Sequence, residues 1–395
     1  MTRFGLLLML VLGVAAAAAA SGCSDSAGTG ADAAPATADT GAGDVTAGDD
    51  GAVASDSGVD APAIAACTAR LSFRTAGSVV PHGIDHHATF IGNADGSGTP
   101  TLFVAGGNDY SSAPIKREVY RATIMADGSL GPFEATTALP GSGLAGSGVV
   151  VRGARVYLVG GRTPIIDGPV LSAEIKADGT LGAWKTEAAR LPEGRFHLSS
   201  ALHGDHLFAI GGLGPDSYAR DTVFVADIAA DGSVGSFRSA GTLPAARSHH
   251  GSFVYGDYLY LSGGFAGTPL NNQPQNHLDV IRAPIGSDGK LGTFEKVGDL
   301  VANLSTHAQT RVGDCVFLFG GLNLTGANAS YNASALRASL ASPSTVKLES
   351  ANATAPEGRS HMHHVPYWRG HFYLVGGSKA YQDVTGGVMI GDLAP

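Results

Sequence analysis

The sequence has few of the features that stabilise a chain covalently or electrostatically. Only 3 of its 395 residues are Cys and 15% are charged, and after the first twenty residues no apolar run is long enough to span a bilayer. This composition excludes collagen, a coiled coil and a polytopic membrane protein. The motifs HExxH and GxSxG, the P-loop and a strand-associated GxGxxG are also absent, so no motif-defined catalytic class is indicated.

The formal net charge of -9 is unevenly distributed. Eight Asp lie between Asp25 and Asp60 in a stretch without Lys or Arg, and Arg3 lies in the N-terminal leader. The rest of the chain carries 24 basic and 26 acidic residues. A body this close to neutral has no electrostatic footprint for nucleic acid, and we expect no nucleic-acid partner.

The N-terminal sequence has the features of an export signal. Thr2-Arg3 forms a short positive region, Phe4 to Ala20 is apolar, and the run closes on Ala20-Ser21-Gly22-Cys23. Small residues ending on a cysteine resemble the bacterial lipobox, although Ala20 stands where Leu is usual. The resemblance implies a signal peptide over residues 1–22, diacylation of Cys23 and, because Ser24 is not Asp, an outer-membrane lipoprotein. Ordinary cleavage in the alanine run is the alternative.

Residues 23–66 contain the anchor and a linker. From Ser24 to Ala66 the chain consists largely of Ala, Asp, Gly, Thr and Ser without an aromatic residue. Such a segment buries too little apolar surface to offset the entropy of ordering. We expect a disordered, self-repelling tether that holds a folded module over residues 67–395 away from a membrane.

Beyond Ala66 the chain repeats. The most visible signal is an apolar strand ending in a glycine pair, and the first glycines of the six pairs are at positions 106, 160, 211, 263, 320 and 376. Intervals of 51 to 57 residues are typical of propeller blades with four strands. Asp-Gly hairpins at Asp127, Asp178, Asp231 and Asp288 precede a fourth strand. Blade 5 has Ala341 to Ser344 instead.

The two ends of the repeat region complement each other. After Gly377 only one strand remains, whereas Ser72 to Ser78 matches Ser236 to Thr242, a fourth strand inside the repeat. We therefore predict that the N-terminal strand completes the last blade, which closes the ring and removes a free sheet edge. Aromatic residues near the fourth strands are interpreted as wedges between blades: Phe133, Trp184, Phe237 and Phe294.

The glycine pairs, together with entries such as Arg195-Phe196-His197, Arg247-Ser248-His249 and Arg359-Ser360-His361, resemble kelch repeats. That superfamily includes the galactose-oxidase central domain and periplasmic sialic acid mutarotases. The resemblance covers about residues 68 to 395, and the spacing of Tyr and Trp is kept only loosely. It implies an all-β fold, a six-bladed β-propeller of four-stranded antiparallel blades.

Topology directs attention to one face of such a ring. The chain enters strand 1 and leaves strand 2 at the same end, and the loops after the glycine pairs are long and unalike, as binding loops are. His recurs at the strand 1 entries. The candidate ligand-binding residues are His86, His197, His249, His307, His361, His363, Arg195, Arg247 and Arg359.

Two interpretations of the histidines stay open. Neutral imidazoles converging on the channel would suit Zn, Cu or Ni. Alternatively, the rings bond loop carbonyls and tie one blade to the next, and because no local spacing specifies a metal site, we assign neither a metal nor a cofactor.

No catalytic residue is assigned. Galactose-oxidase chemistry needs a cysteine near a channel tyrosine, whereas Cys315 falls at the opposite face. A sialidase would show Asp boxes in which one residue separates Asp from Gly, whereas the hairpins of this sequence have Asp directly followed by Gly. The favoured function is a non-catalytic module that binds a protein or glycan through its long-loop face. The alternative is a carbohydrate-active enzyme such as a sugar mutarotase or epimerase.

Once Cys23 is assigned to lipid, Cys67 and Cys315 remain, both predicted at the short-turn face. Leftover cysteines in an exported protein are expected to pair, so we predict a Cys67–Cys315 disulfide, with two buried thiols as the alternative. The expected partners are the outer membrane and an unidentified protein or glycan, and the module is expected to be a monomer in the cell envelope.

Overall fold

The computed structural model describes residues 67–266, 275–302, 304–325 and 328–394. The signal peptide, Cys23 and the linker predicted from the sequence lie outside these residues. Every regular element of the described part is a β-strand. No helix in the ranges described has the length and apolarity to cross a bilayer.

The described strands form six antiparallel blades, each numbered from the axis outwards. Blade 1 consists of Ala88–Gly92, Thr101–Ala105, Val119–Thr123 and Glu134–Ala135. Blade 2 consists of Gly148–Arg152, Arg155–Val159, Val170–Glu174 and Lys185–Thr186. Blade 3 consists of Ser199–His203, His206–Ile210, Thr222–Asp227 and Arg238–Thr242. Blade 4 consists of Gly251–Tyr255, Tyr258–Ser262, Asp279–Pro284 and Glu295–Asp299. Blade 5 consists of Ala308–Val312, Cys315–Phe319, Ser334–Ser339 and Glu349–Thr354. Blade 6 consists of Tyr367–Trp368, His371–Val375, Val388–Ala394 and Arg70–Thr75. The predicted six-bladed propeller of four-stranded blades is confirmed.

The N-terminal strand closes the ring as predicted. Arg70–Thr75 pairs antiparallel with Val388–Ala394, with Phe73 opposite Gly391. The ring of Phe73 packs edge-on against Phe319 of blade 5 at 6.2 Å between centroids. A disulfide joins Cys67, just before this strand, to Cys315 at the start of the second strand of blade 5, with the two Cα atoms 5.3 Å apart.

Four additional short pairings extend the blades. Val346–Lys347 of blade 5 pairs in parallel with the outer strand of blade 4, in the segment where the Asp-Gly hairpin is missing. On the long-loop face three loops form two-stranded hairpins: Phe265–Ala266 with Gln275–Asn276, Leu322–Thr325 with Asn328–Tyr331, and Ser378–Ala380 with Asp383–Val384.

The core lies between blades. Second strands such as His206–Ile210 are apolar on both sides because each blade is covered by a neighbour on either face. Each hydrophobic cluster accordingly mixes two adjacent blades: Phe208 and Ile210 of blade 3, for example, pack with Val254 and Leu259 of blade 4. The four predicted wedge aromatics, Phe133, Trp184, Phe237 and Phe294, are half-buried against such clusters.

The glycine pairs lie where neighbouring blades approach each other closely. Both glycines of every pair have positive φ. A Cβ on Gly211 would lie 2.5 Å from the carbonyl oxygen of Arg247 in the next blade, so no side chain fits. The second glycine of each pair donates its N–H to the entry loop of the next blade, with N···O distances of 2.7 to 3.2 Å, from Gly107 to Leu144, Gly161 to Arg195, Gly212 to Arg247, Gly264 to Leu304, Gly321 to Arg359 and Gly377 to Ile84.

Candidate functional site

A ring of six backbone hydrogen bonds surrounds the propeller axis. Each blade contributes one residue just before its first strand, and its N–H donates to the carbonyl of the equivalent residue in the preceding blade, with N···O distances of 2.7 to 3.1 Å. We call these six residues the axial ring: His86, Gly146, His197, His249, Thr306 and His361. The ring closes because the His86 N–H donates to His361.

Axial-ring residues share an unusual backbone conformation. All six have φ between 53° and 67°, the left-handed region that only glycine adopts without cost. Four of the six positions nevertheless carry His. Such backbone strain is often found where a side chain must point at a site.

The four axial imidazoles converge on the axis. Ring centroids are 4.3 Å apart for His86 and His197, 4.4 Å for His86 and His361, and 4.0 Å for His197 and His249. A fifth imidazole joins them from blade 6, where the chain is irregular before Tyr367 and His363 has φ 30°. Its centroid is 5.2 Å from that of His86.

Above the axial imidazoles, on the long-loop face, lies a cavity of about 590 Å³. Its floor includes His86, His197, His249, Thr306 and His361. Its wall includes the exit residue after the glycine pair in all six blades, and the entry residue before the axial residue in blades 2, 3 and 5. Their backbones exchange two hydrogen bonds of 2.7 to 3.1 Å in each blade, at Asp85–Asn108, Ala145–Arg162, Phe196–Leu213, Ser248–Phe265, Ser305–Leu322 and Ser360–Ser378.

Exit residues make the cavity two-sided. Blades 6, 1 and 2 contribute the polar exit residues Ser378, Asn108 and Arg162, whereas blades 3, 4 and 5 contribute Leu213, Phe265 and Leu322. The loops add three tyrosines to the lining, Tyr110, Tyr331 and Tyr381, and Tyr381 is 87% exposed. The cavity therefore offers a polar side, an apolar side and an aromatic rim.

One buried carboxylate organises the polar side. Asp85 accepts hydrogen bonds from His86 Nδ1 at 2.7 Å, Ser378 Oγ at 2.6 Å and Tyr110 Oη at 3.1 Å. Burial raises the pKa of Asp85, but the charge and hydrogen bond of His86, with His361 and Ser378, outweigh burial and lower that pKa to about 2. With Asp85 ionised, the carboxylate accepts and Nδ1 of His86 donates in their hydrogen bond.

Four of the imidazoles around the axis, those of His197, His249, His361 and His363, are neutral at pH 7. Burial lowers the pKa of His361 to about 3. Burial, with the charge of neighbouring imidazoles, holds the pKa values of His197, His249 and His363 well below the ordinary value. A neutral imidazole is the form that accepts a hydrogen bond or binds a metal ion.

Other histidines occupy a second row, one residue after the axial ring, and pack between blades. This inter-blade row is His87, Ser147, Leu198, His250, His307 and Met362. The side chain of His307 lies over Gly263, where a Cβ would be 3.0 Å from its Cε1, and its Nε2 is 3.0 Å from Ser262 Oγ. Leu198 and Met362 lie over Gly160 and Gly320 in the same way. His307 does not line the cavity.

The predicted arginines lie behind the wall. Arg195, Arg247 and Arg359 are each at most 3% exposed and do not line the cavity. Each donates through Nη1 to the carbonyl of the first glycine in its own blade, at 3.0 to 3.4 Å. Each also pairs with an acid: Arg195 with Glu193, Arg247 with Asp279, and Arg359 with Glu357. These contacts hold the entry loops in place.

The structure thus brings together five of the nine predicted residues: His86, His197, His249, His361 and His363. Four line the cavity floor and His363 packs beside them. Sequence reasoning missed Asp85, the tyrosines and the exit residues. The position directly after each glycine pair was a usable signal, because it repeats at a fixed offset while its residue type varies.

Comparison with known proteins bears on the fold. No family model matches the chain. Kelch-like protein 34 of Homo sapiens is 32% identical over 146 residues, which cover 34% of this chain and 22% of that protein, so the chain spans about a fifth of the length of this curated relative. The solved structure of YjhT matches with a TM-score of 0.62 at 14% identity, over 78% of this chain and 95% of that one. The likeness to YjhT shows a shared fold.

Proposed function

We propose that this chain, a six-bladed propeller of the kelch-repeat type, is an exported, membrane-anchored binding module that takes the end of a glycan into the cavity of its long-loop face. The single observation that carries the proposal is the two-sided cavity above the axial ring. Its volume of about 590 Å³ lies within the range of small-ligand sites and suits one to a few sugar rings.

The wall chemistry matches a sugar. A pyranose ring has an apolar C–H face and a rim of hydroxyl groups. Leu213, Phe265 and the loop tyrosines offer apolar surfaces on which the C–H face can pack. Asn108 and Arg162 offer hydrogen-bonding groups to the hydroxyls. Polar and apolar exit residues lie on opposite sides, so a bound ring could satisfy both at once.

A glycan fits this cavity better than a folded protein partner does. Protein interfaces of ordinary size bury about 800 Å² on each side over a broad patch. Here the wall residues converge on a concavity above the axis, which a chain end or a single ring can enter. A protein ligand would have to insert a loop.

Glycan-array binding by the full chain, followed by calorimetry with the best ligand, tests the proposal. Tyr381→Ala removes an exposed rim aromatic and is expected to weaken binding about 5- to 10-fold, the value of one lost aromatic contact. Tyr218→Ala is the matched control, because Tyr218 is also exposed but is absent from the cavity lining. Equal affinities of both variants, or an array without binding, would refute glycan binding in this cavity.

Membrane attachment is the second part of the proposal and rests on the Ala20-Ser21-Gly22-Cys23 sequence. Cys23→Ser is expected to release the protein from the membrane fraction and to abolish labelling by an alkyne fatty acid. Ser24→Ala, which keeps the cysteine, is the control. Unchanged fractionation of Cys23→Ser would show that Cys23 is not the anchor.

A carbohydrate-active enzyme is the alternative, and one observation favours it. Asp85 orients His86 at the cavity floor and accepts a hydrogen bond from Tyr110, so an imidazole and a phenol stand near one another in the wall. This pair could transfer protons during anomer exchange. Proton NMR of freshly dissolved reducing sugars decides: acceleration abolished by His86→Gly supports an enzyme, and an unchanged rate supports a binding module.

A further inference from the structure

Three of the four axial imidazoles have ring nitrogens close to one another, and Nδ1 of His197 contacts Nε2 of His249. One ring nitrogen from each of His86, His197 and His249 can be chosen such that the three atoms lie within 4.8 Å of one another. A tetrahedral Zn²⁺ with Zn–N distances of about 2.0–2.1 Å holds imidazole ring centres roughly 5 Å apart. The observed centroid distances among these three rings are 4.0, 4.3 and 6.3 Å, which bracket that value.

Two buried nitrogens in the cluster lack a partner. Nε2 of His86 and Nε2 of His363 are buried and make no hydrogen bond. A buried polar atom without a partner costs roughly 1–3 kcal/mol relative to water. Asp85 already occupies Nδ1 of His86, so Nε2 is the ring nitrogen that remains available to a further ligand. A positively charged ligand at the axis would satisfy it.

Hydrogen bonds behind two of the three rings, those of His86 and His249, orient them as metal ligands are oriented. Nδ1 of His86 is held by Asp85 at 2.7 Å, and Nδ1 of His249 lies 2.9 Å from Ser248 Oγ. The flanking His361 repeats the arrangement with Ser360 at 2.8 Å. Carboxylate and hydroxyl partners on the far nitrogen fix the tautomer and the ring orientation in metal sites.

The propeller itself does not require imidazoles here. Gly146 and Thr306 occupy the axial ring with φ of 67° and 58° and complete the same hydrogen bonds. Histidine at a left-handed position costs more than glycine does. The recurrence of His at the other axial positions is therefore not explained by the backbone.

We propose that His86, His197 and His249 bind one divalent transition-metal ion of the zinc and copper group at the floor of the cavity, with the remaining coordination position open to the cavity. His361 and His363 flank the ion, and Asp85 supplies the nearest negative charge. Imidazole suits these metals, and three protein ligands with an open position are typical of sites that bind a further ligand. The inference does not depend on the glycan proposal.

The test measures metal binding by the full chain produced without a polyhistidine tag. Protein stripped with chelator is titrated with ZnCl₂ and, separately, CuSO₄, followed by calorimetry and elemental analysis. We expect one equivalent of either ion, with tighter binding of Cu²⁺. Wild-type protein that retains less than about a tenth of an equivalent overturns the proposal, since one tight site predicts full occupancy.

Matched variants locate the site. His197→Gly and His249→Gly reproduce Gly146 at an equivalent position, so the backbone is preserved, and each is expected to weaken binding at least 100-fold. His307→Leu reproduces Leu198 in the inter-blade row and is expected to bind as wild type does. Unchanged binding in both glycine variants would overturn the assignment.

A milder variant keeps the test decisive if the glycine variants fail to fold. Ser248→Ala removes the hydroxyl behind His249 and reproduces Ala145, the entry residue of blade 2. We expect about 10-fold weaker Zn²⁺ binding and a shifted absorption spectrum of the Co²⁺ form. A wild-type Co²⁺ spectrum and affinity in Ser248→Ala would overturn the proposed role of His249.

Discussion

At the scale of single residues, position relative to the axis separates structural from functional side chains. His86 and His87 are neighbours in sequence, as are His249 and His250. The first of each pair belongs to the axial ring and lines the cavity, whereas the second packs between blades. The left-handed backbone at the axial position accounts for this separation.

Two glycines of blade 3 test why the glycine pairs recur. They separate the close approach of the neighbouring blade from the positive backbone angle φ as the reason that glycine is needed. Gly211 and Gly204 have φ of 55° and 54°, but a Cβ on Gly211 would meet Arg247, whereas the space around Gly204 is open. Urea unfolding is expected to show a loss of about 1 kcal/mol for Gly204→Ala and roughly 3 kcal/mol or more for Gly211→Ala. Equal losses would contradict the close-approach explanation.

The inter-blade row makes a prediction about acid stability. Burial lowers the pKa of His307 to about 4, below the ordinary value near 6.5. Between those values the unfolded chain binds one more proton at His307 than the folded chain does, so stability falls as the pH falls. His250 and Gln309 face this residue, and Ser262 contacts both His307 and Gln309.

His307→Leu is expected to fold at pH 7. Between pH 6.5 and 4 the free energy of unfolding of this variant should fall less steeply with falling pH than that of the wild type. The difference in slope should correspond to one proton, about 1.4 kcal/mol per pH unit. Urea unfolding of metal-free protein at several pH values measures that slope. His203→Leu, at a half-buried histidine outside the inter-blade row, is the control. A slope unaltered by His307→Leu would show that this imidazole is not held neutral in the folded chain.

The sequence predicted that histidines recur at strand entries but not which of them meet. Neighbouring residues point to opposite sides only in a regular strand. The axial residues precede the strands, and in blade 6 the chain stays irregular up to Tyr367, near Pro366, which has no N–H to donate. Asp85 escaped notice because nothing in its local spacing marks it as buried.

At the scale of elements, the closing strand connects the two ends of the propeller. Six glycine pairs, the Asp-Gly hairpins and the match between Ser72 and Ser236 were sufficient to predict the blades and their closure. The three loop hairpins and the added Val346–Lys347 strand were not predicted. These form in segments that do not repeat, so no comparison between blades reveals them.

The disulfide that precedes the closing strand is expected to hold it in the ring. Cys67 and Cys315 are 248 residues apart, and a bridge over so long a loop contributes about 2–5 kcal/mol. Cys67→Ala/Cys315→Ala should lose that amount in urea unfolding and speed amide exchange in Arg70–Thr75. Reductant should destabilise the wild type and leave the double variant unchanged. Identical exchange in the two proteins would contradict a role in closure.

At the scale of the whole molecule, the sixfold arrangement brings side chains from different blades together around the axis. Every blade supplies its exit residue to the cavity, and every blade except blade 2 supplies its axial residue to the cavity floor. The backbone of this centre repeats while its side chains differ. One scaffold therefore presents four axial imidazoles below and a two-sided wall above.

Anomalous diffraction from crystals of the full chain grown with one equivalent of Zn²⁺ tests this account most directly. The account predicts a single strong peak on the propeller axis, about 2.0–2.1 Å from nitrogens of His86, His197 and His249. A peak only at half-buried histidines of the opposite face, such as His206 or His371, or no peak at all, would contradict it.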